Sequence, residues 1–177
     1  MLKQIIKSVL RFLATPWRAV RHQRDGVCDS AERHEIPNEV LLGLVREYLQ
    51  EGHTGQIWVK GYSMRPFLEH MRDQVKLVPV KRPLEVGDAI LAEITKGHYV
   101  LHRIIDIKGE HITLMGDGNV RGTESCTTKD VVGIVTEYIR PKRTLLASDK
   151  GLIRRIKIWR KLLPIRRYLL VFYKASI

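Results

Sequence analysis

VGDAILAEITKGHYVLHRIIDIKGEHITLMGDG, residues 86–118, decides the fold. Three runs within it, DAILAEI, HYVLHRIIDI and HITLM, are short and rich in Ile, Val and Leu. Gly, Asp and Lys separate them, so each run ends before a helix could complete three turns. Lys108-Gly109-Glu110 reads as a hairpin turn between the last two. Outward from this stretch the same texture continues: QIWVK and QVKLVPV lie upstream, DVVGIVTEYI downstream. Six short strands in about 85 residues predict a mainly β fold, a small antiparallel barrel or sandwich. They do not suit a parallel sheet with crossover helices.

Upstream of the strands the period is helical. In PNEVLLGLVREYLQEG, residues 37–52, the apolar positions Leu41, Leu42, Val45, Tyr48 and Leu49 fall on one face. Pro37 or Asn38 opens this helix, and Gly52 follows its end. Helical spacing returns in LIRRIKIWRKLLPIRRYLLVFYK, which Pro164 divides in two. The predicted organisation is a basic amphipathic segment (1–24), a polar linker (25–36), a β domain with its leading helix (37–142) and a basic helical tail (143–177).

Charge separates the ends from the middle. The 177-residue chain carries a formal net charge of +12. Residues 1–24 hold six Lys/Arg and residues 150–177 hold nine, with no acid in either. All 19 acids fall between them, among 16 bases, so the middle is slightly acidic. Such ends suit an anionic membrane surface, an acidic partner or nucleic acid, and an amphipathic helix packed on its own domain would look alike. Nucleic acid fits less well, because the strands do not interleave aromatic residues with bases. A hydrophobic share of 44% and a charged share of 28% exclude wholesale disorder. No run approaches the ~18 apolar residues of a membrane span. Lysine and arginine interrupt the N-terminal apolar residues, unlike a secretory signal peptide. Cys28 and Cys126 are too few for a disulfide framework and read as free thiols of a reducing, cytoplasmic compartment.

Three stretches carry side chains fit for chemistry. In Gly61-Tyr62-Ser63-Met64-Arg65-Pro66 the glycine permits a sharp turn after a strand, and Pro66 suits the first turn of a short helix. Ser63 would then sit at a helix N-terminus, among N–H groups that favour a developing negative charge. The ordinary use of such a serine is as a helix cap. His102 lies mid-strand in Tyr99-Val100-Leu101-His102-Arg103-Ile104-Ile105, where a neutral imidazole would be a rigidly held general base. Asp117, in Gly116-Asp117-Gly118-Asn119, could present a carboxylate from a tight turn or simply make the turn. His98 and His102 share a strand face, but two histidines without a convergent third ligand predict no metal. No cofactor is predicted.

Ser63, His102 and Asp117, in that order on a small β scaffold, resemble the signal peptidase and LexA-like superfamily of serine peptidases. The resemblance runs from about Asn38 to Arg140. It includes the two motifs around Ser63 and Asp117, Val86-Gly87-Asp88-Ala89-Ile90-Leu91, Val100-Leu101-His102-Arg103-Ile104 and Asp130-Val131-Val132-Gly133-Ile134-Val135. Bacterial members usually carry a lysine base where this chain has His102; the pattern here is similar to the Ser-His-Asp members. The resemblance implies a serine endopeptidase that cleaves a precursor or leader peptide, with Ser63 as nucleophile and His102 as base. Asp117 is the third member it implies, with Glu124 and Asp130 as alternatives. It also implies substrate or oxyanion contacts at Tyr62, Met64 and Pro66, and an extended peptide laid beside a strand. The chain departs from signal peptidases in its N-terminus, which has a basic amphipathic segment in place of a membrane helix. That segment suggests peripheral contact at the inner face of a membrane. A reading from a different class is a non-catalytic binding module, in which the basic ends grip a membrane, an acidic partner or nucleic acid.

Overall fold

The computed structural model describes residues 38–175; the predicted segment 1–24 and linker 25–36 lie outside them. Helix α1 (Asn38–Gln50) comes first. Eight strands follow: β1 (Gly55–Trp58), β2 (Gln74–Val78), β3 (Ala89–Thr95), β4 (His98–Lys108), β5 (His111–Met115), β6 (Glu124–Thr127), β7 (Val131–Arg140) and β8 (Arg143–Leu146). Helices α2 (Lys150–Lys161) and α3 (Arg166–Lys174) close the described chain.

The mainly antiparallel β reading holds. The strands form one open sheet in the order β1-β2-β7-β3-β4-β5-β6, with β8 paired to β7. Ile134 pairs with Val78 of β2 and Ile90 of β3, so these strands flank β7 on opposite edges. Beyond the end of β3, β8 takes up the same edge of β7. The β4–β5 connection is the predicted hairpin: Lys108 faces His111, and Gly109 turns the chain at φ +60°. Glycine reaches that left-handed region without the Cβ clash.

Two strands exceed the predicted six. Glu124-Ser125-Cys126-Thr127 (β6) and Arg143-Thr144-Leu145-Leu146 (β8) are four residues each, too short to show a period. The 142 boundary therefore moves, because β8 belongs to the sheet and the helices after it pack on the sheet. Trp159 is fully buried and Leu169 nearly so.

Alternation along the strands builds two apolar layers. Ala89 and Leu91 of β3 join a layer with Leu49 of α1, Met64, Phe67 and Leu68 of the β1–β2 connection, and Trp159 and Leu169 of the C-terminal helices. Ile90 and Ala92 face the other way, toward Ile104, Ile112, Leu114, Cys126 and Ile134. A strand buried on both faces loses the polar half of its pattern, and so β3 reads as the continuous run AILA. Asp149 caps α2, its Oδ1 accepting from the N–H groups of Gly151 and Leu152 at 2.8 and 3.0 Å. No helix among the described residues is long and apolar enough to cross a membrane.

Candidate active site

Strand β4 splits the predicted His-Arg motif between the two faces. His102 pairs with Ile90 and so shares the face of the smaller layer; Arg103 pairs with Ala89 and points into the larger one. Their acidic partners differ accordingly.

His102 is 5% exposed, and its Nδ1 lies 2.8 Å from Oε2 of Glu124 on β6. Glu124 reaches it through the ladder: it pairs with Leu114, which pairs with Ile104, two residues along β4 from His102. All four side chains therefore stand on one face. An ionised carboxylate can only accept, so Nδ1 is the donor of this bond, and a neutral imidazole held this way has its lone pair on Nε2.

Asp117 does not reach His102. Its carboxylate accepts three bonds from Arg103, at 2.8, 3.0 and 2.5 Å, and both residues are buried. Arg103 also donates to the Gly87 carbonyl at 2.8 Å. Burial alone would weaken the guanidinium's hold on its proton, but Asp117 and Tyr138 more than offset this, and its pKa is raised. Asp117 is thus a strut for the turn at residues 116–119, correcting its predicted place beside the base. The other alternative acid, Asp130, accepts from the N–H and Oγ1 of Thr127, both at 2.7 Å. Those bonds lower its pKa and assign it to the β6–β7 turn.

Glycine lets Ser63 pack on the turn that follows β5. The β4–β5 ladder ends where Arg103 pairs with Met115, the residue before Gly116. A Cβ on Gly116 would fall 3.0 Å from the Ser63 Cβ and 2.5 Å from its carbonyl oxygen. The serine therefore packs where a side chain at 116 would stand. The Gly118 N–H holds the Ser63 carbonyl at 2.6 Å, and a Cβ there would meet the Tyr62 carbonyl at 2.7 Å. Both glycines serve this close backbone approach.

The predicted helix around Pro66 is absent. Residues 61–67 form successive turns, with the Arg65 N–H on the Tyr62 carbonyl and the Phe67 N–H on the Met64 carbonyl, and the Arg65–Pro66 peptide is cis. The N–H groups of Ser63 and Met64 make no bond to other described residues, which leaves two neighbouring donors beside the Ser63 side chain. The Met64 side chain is a core residue, so only its backbone can serve an oxyanion. Tyr62 is 56% exposed, with the Arg65 guanidinium 4.2 Å from its ring centre. Pro66 is half-buried and is not among the walls of the cleft at Ser63.

A cleft of about 380 Å³ opens at Ser63 between Tyr62, the 118–120 turn and helix α3. His102 is not among its walls. A larger cavity, about 670 Å³, lies against Arg103 and Tyr138 and contains neither Ser63 nor His102. Of these two, only the smaller is lined by Ser63.

The C-terminal helices hold this site from behind, a role invisible in their sequence. Trp159 Nε1 donates to the Asp117 carbonyl at 2.7 Å, and Arg166 Nη1 to the Asn119 carbonyl at 2.9 Å. The Tyr173 hydroxyl donates to Glu69 at 2.8 Å; the same carboxylate accepts from Arg65 at 2.9 and 2.8 Å. Burial, then Glu69, raises the Tyr173 pKa to about 12.

Known protein families were compared with the chain, and no family model matches it. No curated protein matches it either.

Proposed function

We propose that the protein is a serine endopeptidase of the signal-peptidase and LexA-like type, with Ser63 as nucleophile, His102 as general base and Glu124 as the acid that orients the base. The observation that carries this reading is the 2.8 Å contact between His102 Nδ1 and Glu124, with Ser63 packed against Gly116 just past the end of β5. It supplies the three groups that nucleophilic acyl transfer requires: a nucleophile, a base and a group holding the base's tautomer.

In this mechanism Nε2 of His102 takes the Ser63 hydroxyl proton as Oγ attacks the scissile carbonyl. The free N–H groups of Ser63 and Met64 stabilise the oxyanion. The imidazolium returns its proton to the departing amine as the C–N bond breaks. Water, deprotonated by the same nitrogen, then releases the acyl group from Ser63. The substrate is a peptide or precursor protein.

The test is covalent labelling by a peptide-based electrophile followed by intact mass, in wild type, Ser63→Ala and His102→Ala. Modification is expected in wild type alone. A rate unchanged in His102→Ala would remove that residue from the mechanism, as would a rate independent of pH between about 5 and 8, because only a neutral imidazole accepts the proton.

One surface favours a second reading, contact with an anionic membrane at its cytoplasmic side. Ile165, Tyr168 and Phe172 are exposed at i, i+3 and i+7 spacing, and Leu163 is exposed beside them. Exposed Lys161 and Arg167 lie along the same segment. Apolar and aromatic groups set among cations suit an interfacial helix. Flotation with phosphatidylserine vesicles at low salt, reversed at high salt, is the expected result; no flotation at low salt would remove this reading.

A further inference from the structure

Helix α3 turns a second face toward the cleft at Ser63. Arg167, Leu170, Val171 and Lys174, at i, i+3, i+4 and i+7, all line it. That spacing puts an apolar patch between two cations separated by two helical turns, about 10 Å. Neither Arg167 nor Lys174 makes a hydrogen bond or ion pair among the described residues. The third cation of the cleft, Arg65, is occupied by Glu69. No carboxylate of the described residues lines the cleft, and Asp117, next to Gly118 of its wall, is neutralised by Arg103. The helix cannot swing aside easily, because Arg166 and Tyr173, on its inner face, tie it to the Asn119 carbonyl and to Glu69.

We infer that this cleft is a specificity subsite for an acidic peptide, with Leu170 and Val171 receiving an apolar side chain while Arg167 and Lys174 pair with carboxylates on either side of it. An extended chain advances ~3.3 Å per residue, so acids four positions apart, ~13 Å, flank an apolar residue on the same side of the strand and bracket the helix face. The inference rests on the proposed peptidase in so far as the bound segment is substrate. It adds a discrimination that neither Ser63 nor His102 provides: cations without a partner among the described residues favour acidic sequences and repel basic ones.

The experiment separates the two claims. Fluorescein-labelled decapeptides with the same apolar residues, and Glu, Gln or Lys two positions before and two after a central apolar one, are titrated into full-length Ser63→Ala protein by anisotropy at low salt. The Glu peptide should bind about 2- to 30-fold tighter than the Gln peptide, the range expected of two exposed ion pairs. Arg167→Glu/Lys174→Glu should invert the order in favour of the Lys peptide. Both side chains are exposed, so the melting temperature should not move. A diazirine at the central apolar residue should cross-link to α3. Equal binding of the Glu and Gln peptides, a preference unchanged in the double variant, or cross-links elsewhere would overturn the subsite. So would phosphatidylserine vesicles that need Arg167 and Lys174 while acidic peptides do not bind. The same peptides offered to wild type report on the peptidase reading. Glu-selective binding without Ser63-dependent cleavage would end that reading and leave the subsite. Cleavage indifferent to acid would do the reverse.

Discussion

Gly116→Ala tests the placement of the nucleophile with a single methyl group. Gly116 does not use a positive φ, so alanine meets no backbone obstacle there. The obstacle is space: the new Cβ would sit 2.5 Å from the Ser63 carbonyl oxygen and 3.0 Å from the Ser63 Cβ. Neither neighbour is the end of a flexible side chain. Reaching even 3.0 Å from the oxygen requires a shift of about 0.5 Å, and that oxygen accepts the 2.6 Å bond from Gly118. Overpacking of this kind costs ~1–3 kcal/mol of stability. Displacement of a reacting group by 1 Å costs about 100-fold in rate, so half that shift predicts roughly tenfold or more. The assay is the labelling rate of Ser63 per folded molecule, with stability from urea unfolding of the same samples. Gly109→Ala is the control. There φ is +60° with nothing within 4 Å, so alanine should cost ~1–2 kcal/mol through strain alone and leave the rate unchanged. A Gly116→Ala protein that labels at the wild-type rate would refute the packing of Ser63 on this glycine as the basis of its position.

Other expectations follow from the same contacts. Glu124→Gln keeps the shape but loses the obligate acceptor of His102; labelling should fall ~10²–10⁴-fold, with the melting temperature little changed. Asp117→Asn should do the opposite first, destabilising by ~3–5 kcal/mol in urea, because it leaves the Arg103 charge buried without its partner. Trp159→Phe removes the bond to the Asp117 carbonyl, and should cost ~1 kcal/mol in stability and lower the labelling rate by loosening the 116–119 turn. Burial, and then Asp130, push the Cys126 thiol up to about 11, and Tyr173 rises to about 12. Both groups hold their protons more tightly when folded, so stability should be full below about pH 9 and fall toward pH 12. Cys126→Ser and Tyr173→Phe should each flatten that fall in urea titrations, and Cys126 should resist iodoacetamide at pH 8 until the protein unfolds.

The division between what sequence revealed and what it hid follows interaction range. Helix α1, the hairpin at Gly109 and six of the strands were legible, since a local period or a turn glycine specifies each. Strands β6 and β8 were not, since four residues of mixed polarity carry no period. Their existence depends on finding a partner edge. In place of the expected helix at Pro66 a run of turns brings Met64, Phe67 and Leu68 into the core.

The candidate site divides in the same way. By itself the sequence determined a mainly antiparallel β chain with basic ends, and singled out Ser63 and His102 as its chemically apt residues. Which acid meets the imidazole was decided by tertiary structure. Adjacent strand residues point to opposite faces, so His102 and Arg103 required different partners. Glu124 lies 22 positions from His102 in sequence and reaches it only because β5 aligns β6 beside β4. Tertiary structure alone also made the basic C-terminal helices part of the site. Trp159 and Arg166 clasp the carbonyls of a turn more than 40 residues away, and no local pattern encodes a contact of that range.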